Sequence, residues 1–117
     1  MKREHEKLIP LAPAALHILL ALAAEDLHGY AIMQEVARQS EGLYKLGPGT
    51  LYDNLQRLLD QGLVREMGGR ASDTDSRRRY YRLNAAGQSV LAAEVKRLEG
   101  VVQEARLRLR ALEGGRA

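Results

Sequence analysis

The residues most able to recognise a ligand form a basic cluster in the second half of the chain. Four arginines fall within six positions with two tyrosines among them: Arg77, Arg78, Arg79, Tyr80, Tyr81 and Arg82. Guanidinium groups bind phosphate through paired hydrogen bonds, and a basic ribbon that contains tyrosines is typical of nucleic-acid contact. A run of arginines is also common on an ordinary solvated surface, so the cluster alone does not decide between the two.

A second polar group lies on a predicted helix that begins with Gly47 as N-cap and Pro48 as first helical residue. Four leucines at helical spacing predict its buried side: Leu51, Leu55, Leu58 and Leu59. The remaining positions carry groups that match base edges in the major groove: Thr50, Asp53, Asn54, Gln56 and Arg57. Gly49 and the free N–H groups of the first turn can approach a phosphate. Any amphipathic helix has a polar outside, but a basic hairpin directly after it favours DNA reading.

Catalytic and metal chemistry find little support in the sequence. The chain has no cysteine, which removes thiolate metal ligands and cysteine nucleophiles. His5, His17 and His28 lack the spacing of a zinc site, and no Ser-His-Asp order or paired carboxylate stands out. We therefore predict no enzyme, no metal, no catalytic residue and no cofactor, and interpret His28 as a helix-entry residue.

Length and composition indicate one small helical domain without a membrane span. The chain has 117 residues, a net charge of +3 and a pI near 9.4, and it lacks Phe and Trp. A core of Leu, Ala, Val and Ile suits helices better than a sheet sandwich. The apolar stretch from Leu8 to Ala24 is interrupted by Pro10, Pro13 and His17, so it indicates a buried helix. Together with the missing cysteines, this favours a cytoplasmic protein.

The order of predicted elements is that of a winged helix-turn-helix. A first helix over 12–24 is followed by a second from Gly29 and a third that Gly62 ends. Two short strands, LVREM and RRRYYRL, flank the loop GGRASDTDS and form the wing. Asn84 is the N-cap of a last helix towards Leu112. The fold class is mainly α with a small β-hairpin, with residues 1–84 as the winged helix and 85–117 as a dimerisation helix, in one compact unit.

Two helices carry more apolar surface than a small monomer can bury. The first helix is apolar on nearly all sides. The last has a strict 3.5-residue repeat, called here the apolar stripe: Leu91, Val95, Leu98, Val102, Ala105, Leu109 and Leu112. The helix could lie on its own domain, but a second subunit fits so long a stripe better. The predicted dimer interface comprises Leu16, Leu19, Leu20, Leu91, Val95, Leu98, Val102 and Leu109.

Three segments, HGYAI, GTLYDNLQRLLDQGLV and RRRYYRLNAAG, resemble the signatures of the PadR family of transcriptional regulators, in order and spacing from about Leu16 through Leu91. The length is similar to that of the short members, which have a single C-terminal helix. The resemblance implies a winged-helix dimer, formed by the first and last helices, that binds operator DNA and usually represses transcription. A small-molecule effector at the dimer interface is possible, although no Trp or Phe is present to stack on a flat aromatic compound.

By position, the resemblance gives Tyr30 a phosphate-contacting role and matches Gly49, Thr50, Leu51 and Tyr52 to the family's GTLY. It also matches Arg79, Tyr80, Tyr81 and Leu83 to the wing strand. Asp53 stands where the family commonly has Pro, Asn84 where Thr is common, and the wing loop carries two acids, Asp73 and Asp75.

Strand alternation predicts that Tyr81 and Leu83 are core, while Tyr80 shares the exposed face with Arg78 and Arg82. Tyr52 either packs beside Leu55 and Leu59 or contacts a phosphate, and the sequence leaves both open. The predicted DNA-binding residues are Tyr30, Gly49, Thr50, Tyr52, Asp53, Asn54, Arg57, Arg77, Arg78 and Arg79. The predicted function is a dimeric, sequence-specific DNA-binding regulator of operator DNA, with a winged-helix dimer that acts only as a protein-interaction module as the alternative.

Overall fold

The computed structural model describes residues 7–68 and 78–115. Within these ranges the chain forms four helices and three short strands in this order: α1 (Pro13–Ala24), β1 (Leu27–His28), α2 (Gly29–Gln39), α3 (Pro48–Asp60), β2 (Val64–Met67), β3 (Tyr80–Leu83) and α4 (Ala85–Gly115). This order confirms the predicted fold class, a winged helix-turn-helix followed by a long C-terminal helix. Arg77 and the wing-loop acids Asp73 and Asp75 lie outside the described residues.

Local capping chemistry sets the helix boundaries, largely where the sequence predicts them. Gly47 precedes α3 in an extended conformation, and Gly62 follows the helix with a φ of 74°, which glycine adopts without strain. The Oδ1 atom of Asn84 accepts a hydrogen bond of 3.1 Å from the Gly87 amide and so caps α4. At α2, the Nδ1 atom of His28 accepts from the Ala31 amide at 3.2 Å, which confirms His28 as a helix-entry residue.

The sheet contains one strand more than the predicted hairpin. Its order is β1-β3-β2, both pairs are antiparallel, and Leu27 lies opposite Tyr81 while Val64 lies opposite Leu83. A strand of two residues is too short to show alternation, so β1 has no signal in the sequence. The predicted strand RRRYYRL was too long at its start, because β3 begins only at Tyr80.

The core is largely aliphatic, and three residues are more deeply buried in it than the sequence predicts. Leu19 is fully buried within its own chain, so its predicted place in a dimer interface is wrong, whereas Leu16 and Leu20 remain half-buried. Leu91 is also buried and belongs chiefly to this core. Tyr80, predicted on the exposed face, is buried as well. Its ring packs edge-on against His28 at a centroid distance of 5.4 Å, because His28 lies directly opposite Tyr80 on the neighbouring strand.

Helix α4 begins in close contact with the domain and then leaves it. A β-carbon on Gly87 would collide with the carbonyl oxygen of Leu63, so only glycine allows this approach. Every residue from 99 to 115 is exposed. At 1.5 Å per residue, this part of α4 extends about 25 Å beyond the domain.

A buried carboxylate anchors the start of α4 to the segment before α1. Glu94 is fully buried, and its Oε2 atom accepts a hydrogen bond of 2.8 Å from the Leu11 amide. The Nε atom of Arg97 donates to the Oε1 atom of Glu94 at 2.6 Å. Hydrogen bonding from Arg97 lowers the pKa of the Glu94 carboxyl below its ordinary value, although burial opposes the shift.

Because the pKa of Glu94 is lower in the folded state, ionised Glu94 stabilises the fold above the ordinary pKa of 4.5, and this stabilisation is lost as the pH falls through the folded value. We expect Glu94→Gln to lower the free energy of unfolding at pH 7 by about 2 kcal/mol, as charged hydrogen bonds are lost. The variant should lose less stability than the wild type between pH 5 and acid. Urea unfolding measures both effects. Glu104→Gln, at an exposed pair with Arg108, is the control and should have little effect. Equal losses for the two variants would contradict the anchoring role.

Candidate nucleic-acid interface

The outer face of α3 is exposed and polar, as the leucine spacing predicts. Leu51, Leu55 and Leu58 are buried, and each lies on the side that contacts the core. The exposed side presents Gly49, Thr50, Tyr52, Asp53, Gln56 and Arg57. This division leaves the first three turns of α3 free to meet a ligand along their whole outer surface.

Hydrogen bonds within α3 hold the side chains of Asn54 and Gln56. The Nδ2 atom of Asn54 donates to the Thr50 carbonyl at 2.8 Å, and the Nε2 atom of Gln56 donates to the Oδ1 atom of Asp60 at 2.9 Å. Asn54 is half-buried, and its amide group is bound to the backbone of α3. Arg57 forms no ion pair with any of the described residues, so its guanidinium group projects from α3 as a donor.

The ring of Tyr52 lies against Gly29, the first residue of α2. A β-carbon on Gly29 would collide with the Tyr52 hydroxyl. Tyr52 nevertheless stays half exposed, and the neighbouring Tyr30 is 62% exposed. Both phenols therefore lie beside the amino end of α2, where the helix dipole and the free N–H groups favour an anion.

The arginine cluster separates into side chains with different partners. Arg82 forms a two-point ion pair with Asp26, with contacts from 2.7 to 3.2 Å, and this contact raises the pKa of Arg82. Arg79 lies 3.3 Å from a carboxylate oxygen of Glu66. The Nη1 atom of Arg78 lies 3.4 Å from the Nε2 atom of His28, next to the amino end of α2. Sequence reasoning missed Asp26 and Glu66, since both partners are distant along the chain.

Three elements thus contribute to one continuous surface, called here the α3–wing surface. It includes the outer face of α3 with Tyr52, Tyr30 at the start of α2, and the two arginines that precede β3. The predicted residues on it are Tyr30, Gly49, Thr50, Tyr52, Asp53, Asn54, Arg57, Arg78 and Arg79. Among the described residues no group of acidic or histidine side chains could hold a metal ion, and no helix is long and apolar enough to cross a membrane.

This fold and surface define a winged-helix protein, and the comparisons with known proteins identify its family. The PadR-like family of transcriptional regulators matches residues 18–93. A transcriptional regulator of Mycobacterium tuberculosis is 37% identical over 97 residues, which cover 80% of this chain and 82% of that regulator. The chain therefore belongs to the PadR-like family of transcriptional regulators.

Solved structures show the same fold. A PadR-family transcription regulator from Clostridium difficile has a TM-score of 0.72 and 21% identity, covering 84% of this chain and 99% of that chain. PadR of Bacillus subtilis, solved in complex with operator DNA, has a TM-score of 0.64 and 21% identity, covering 74% of this chain and 48% of that chain. At such identities the likeness concerns the fold, and it confirms the winged helix with its long final helix.

The different partners of Arg82 and Arg78 predict different effects on stability. Arg82→Lys removes a two-point ion pair that joins β3 to the segment before β1, so the free energy of unfolding should fall by about 1 kcal/mol. Arg78→Lys keeps the charge of an exposed side chain and should leave the free energy of unfolding unchanged. Urea unfolding of both variants beside the wild type checks this. An Arg82→Lys variant as stable as the wild type would show that the two-point geometry of the pair with Asp26 does not stabilise the strand.

Proposed function

We propose that the chain is a homodimeric, sequence-specific regulator that binds operator DNA through the α3–wing surface and represses transcription in the cytoplasm. The observation that carries the proposal is the position of Arg78 and Tyr52 at the amino end of α2, directly beside the exposed polar face of α3. Phosphate-binding groups therefore flank a helix face that carries base-reading groups. Family membership and the operator-bound relative support the same function.

In this proposal α3 enters the major groove, and its flanking groups hold it in place. Arg57 reads a base edge, because its guanidinium offers two donors in the geometry that guanine accepts. Tyr30, Tyr52 and Arg78 contact the phosphates beside the groove, where they fix orientation without reading sequence. The carboxylate of Asp53 would repel a phosphate, so in this proposal it faces the base pairs. There the amino group of cytosine can donate a hydrogen bond to it.

The dimer is supported by the exposed part of α4. Val95, Val102, Leu109 and Leu112 are each exposed by 41–58% although they continue a helical repeat that is buried at Leu91. A second copy would cover these side chains, and two symmetric copies of α3 would then read two half-sites of a palindrome. Repression needs only that such a dimer occupies a promoter and excludes other proteins from it.

Base reading by Arg57 is tested with DNA selected by the wild-type protein from random duplexes and then varied one base pair at a time. Arg57→Ala should weaken binding to the selected sequence by about 1–3 kcal/mol for each half-site and relax the preference at one base pair in each. The fold should be unaffected, because the side chain leaves the leucine face. Arg38→Ala removes an equal charge at the opposite end of α2 and is the control.

Unchanged discrimination by Arg57→Ala would remove Arg57 from base reading. If the wild-type protein selects no sequence at all, the DNA-binding proposal fails, and a protein-interaction module becomes the better description of the α3–wing surface.

Phosphate contact by Arg78 is tested by salt dependence. Arg78→Ala should weaken binding to all duplexes alike and reduce the slope of log K against log salt by about 2, since each phosphate contact contributes about 0.9 and a dimer loses two. Arg38→Ala should keep the wild-type slope. Fluorescence anisotropy over a salt series measures the slope, and an unaltered slope for Arg78→Ala would place Arg78 away from the DNA.

A further inference from the structure

We propose that Asp53 selects a cytosine in each operator half-site through the amino group of that base, so that methylation of this amino group blocks binding. The inference rests on the proposed function, to which it adds the identity of one base and a form of regulation. It is carried by the position of Asp53 on α3, by the availability of its carboxylate and by the donors that bases present in the major groove.

Asp53 lies at the centre of the outer face of α3. It follows Leu51 by two positions and precedes Leu55 by two, and both leucines are buried. At about 100° per residue, its side chain points roughly 160° away from each leucine, which is directly away from the core. One turn earlier on the same line stands Gly49, which has no side chain and has open space beside its α-carbon. When α3 lies in the major groove, the carboxylate of Asp53 therefore faces the base pairs and not the phosphates at the groove edges.

The carboxylate of Asp53 is available to accept hydrogen bonds from DNA. The amide groups of Asn54 and Gln56 donate to oxygen atoms of α3 itself, so they are already engaged. Arg57 follows Asp53 by four positions, a spacing at which opposite charges on a helix can pair. Among the residues that the structure describes, however, Asp53 forms no ion pair. The helix thus presents an acceptor and a donor one turn apart, and neither neutralises the other.

A carboxylate distinguishes bases by their donors, because its ionised form only accepts hydrogen bonds. In the major groove guanine presents the acceptors N7 and O6, and thymine presents the acceptor O4 and a methyl group, so the donors are the amino groups of cytosine and adenine. The amino group of adenine lies between two acceptors, its own N7 and the O4 atom of the paired thymine, and both repel a carboxylate. The amino group of cytosine has such a neighbour on one side only. Cytosine is therefore the base that the carboxylate prefers.

The same hydrogen bond makes recognition sensitive to methylation of the cytosine amino group. One hydrogen of this group pairs with guanine, and the other points into the major groove. A single methyl group on the amino nitrogen preserves the base pair only when it replaces the hydrogen in the groove. The carboxylate of Asp53 would then meet a methyl group in place of a donor, and it would be desolvated without a hydrogen bond.

Selection from random duplexes tests the identity of the base. The wild-type protein should select a cytosine at one position in each half-site, and any other base there should weaken binding about tenfold. Asp53→Asn should change the preference at this position from cytosine to adenine, because an asparagine amide pairs with N6 and N7 of adenine. Asp60→Asn removes the same charge from the last residue of α3, where Gln56 holds the carboxylate, and this control should keep the wild-type preference.

Synthetic duplexes that carry N4-methylcytosine test the regulation. A methyl group on the selected cytosine of each half-site should weaken wild-type binding about tenfold or more, since a matched hydrogen bond is lost in both half-sites. Binding by Asp53→Ala, which lacks the carboxylate, should not change between the methylated and the unmethylated duplex. The same methyl group on a cytosine outside the half-sites is the control. Fluorescence anisotropy measures all four affinities.

The possible failures are distinct. A selected sequence without a cytosine common to both half-sites, or an unchanged preference in Asp53→Asn, would overturn the role of Asp53 and leave DNA binding in place. Equal effects of the methyl group on the wild type and on Asp53→Ala would overturn the contact between the carboxylate and the amino group. A wild-type protein that selects no sequence would overturn the proposed function itself.

Discussion

The backbone of Leu63 connects three elements on which the rest of the structure depends: α3, β2 and α4. Its oxygen accepts the Asn84 amide at 3.1 Å and lies directly beneath Gly87, while the Leu63 amide donates to the Leu58 carbonyl at 2.9 Å. One residue thus joins the end of α3, the start of β2 and the first turn of α4. The angle between the α3–wing surface and the projecting helix is therefore set by short backbone contacts, which leave little freedom to change.

Most of the fold could be predicted because each boundary has its own local chemistry. Gly47 with Pro48, Gly62 and Asn84 each act on the turn in which they stand, so the sequence shows them directly. Strand β1 could not be predicted, since its two residues are ordered by pairing with a strand more than fifty positions away. The burial of Tyr80 follows from the same pairing, and it was missed for the same reason.

The candidate site was predictable in its residue types and less so in its connections. The leucine spacing placed Thr50, Asp53 and Arg57 outward, as observed. A run of arginines cannot show which of them is held by a carboxylate, because Asp26 and Glu66 meet Arg82 and Arg79 only in the folded chain. Spacing alone also placed Leu19 on an interface, because an all-apolar helix shows no inner side until its neighbours are known.

The contact of Gly29 with Tyr52 restricts the order in which this chain can acquire mutations. Alanine at position 29 is accommodated only when the phenol moves or has already been replaced by a shorter side chain. Once position 29 carries a β-carbon, a returning tyrosine at position 52 no longer finds its place against α2. The two positions are therefore epistatic, and we expect a substitution at one of them to be accompanied by a substitution at the other.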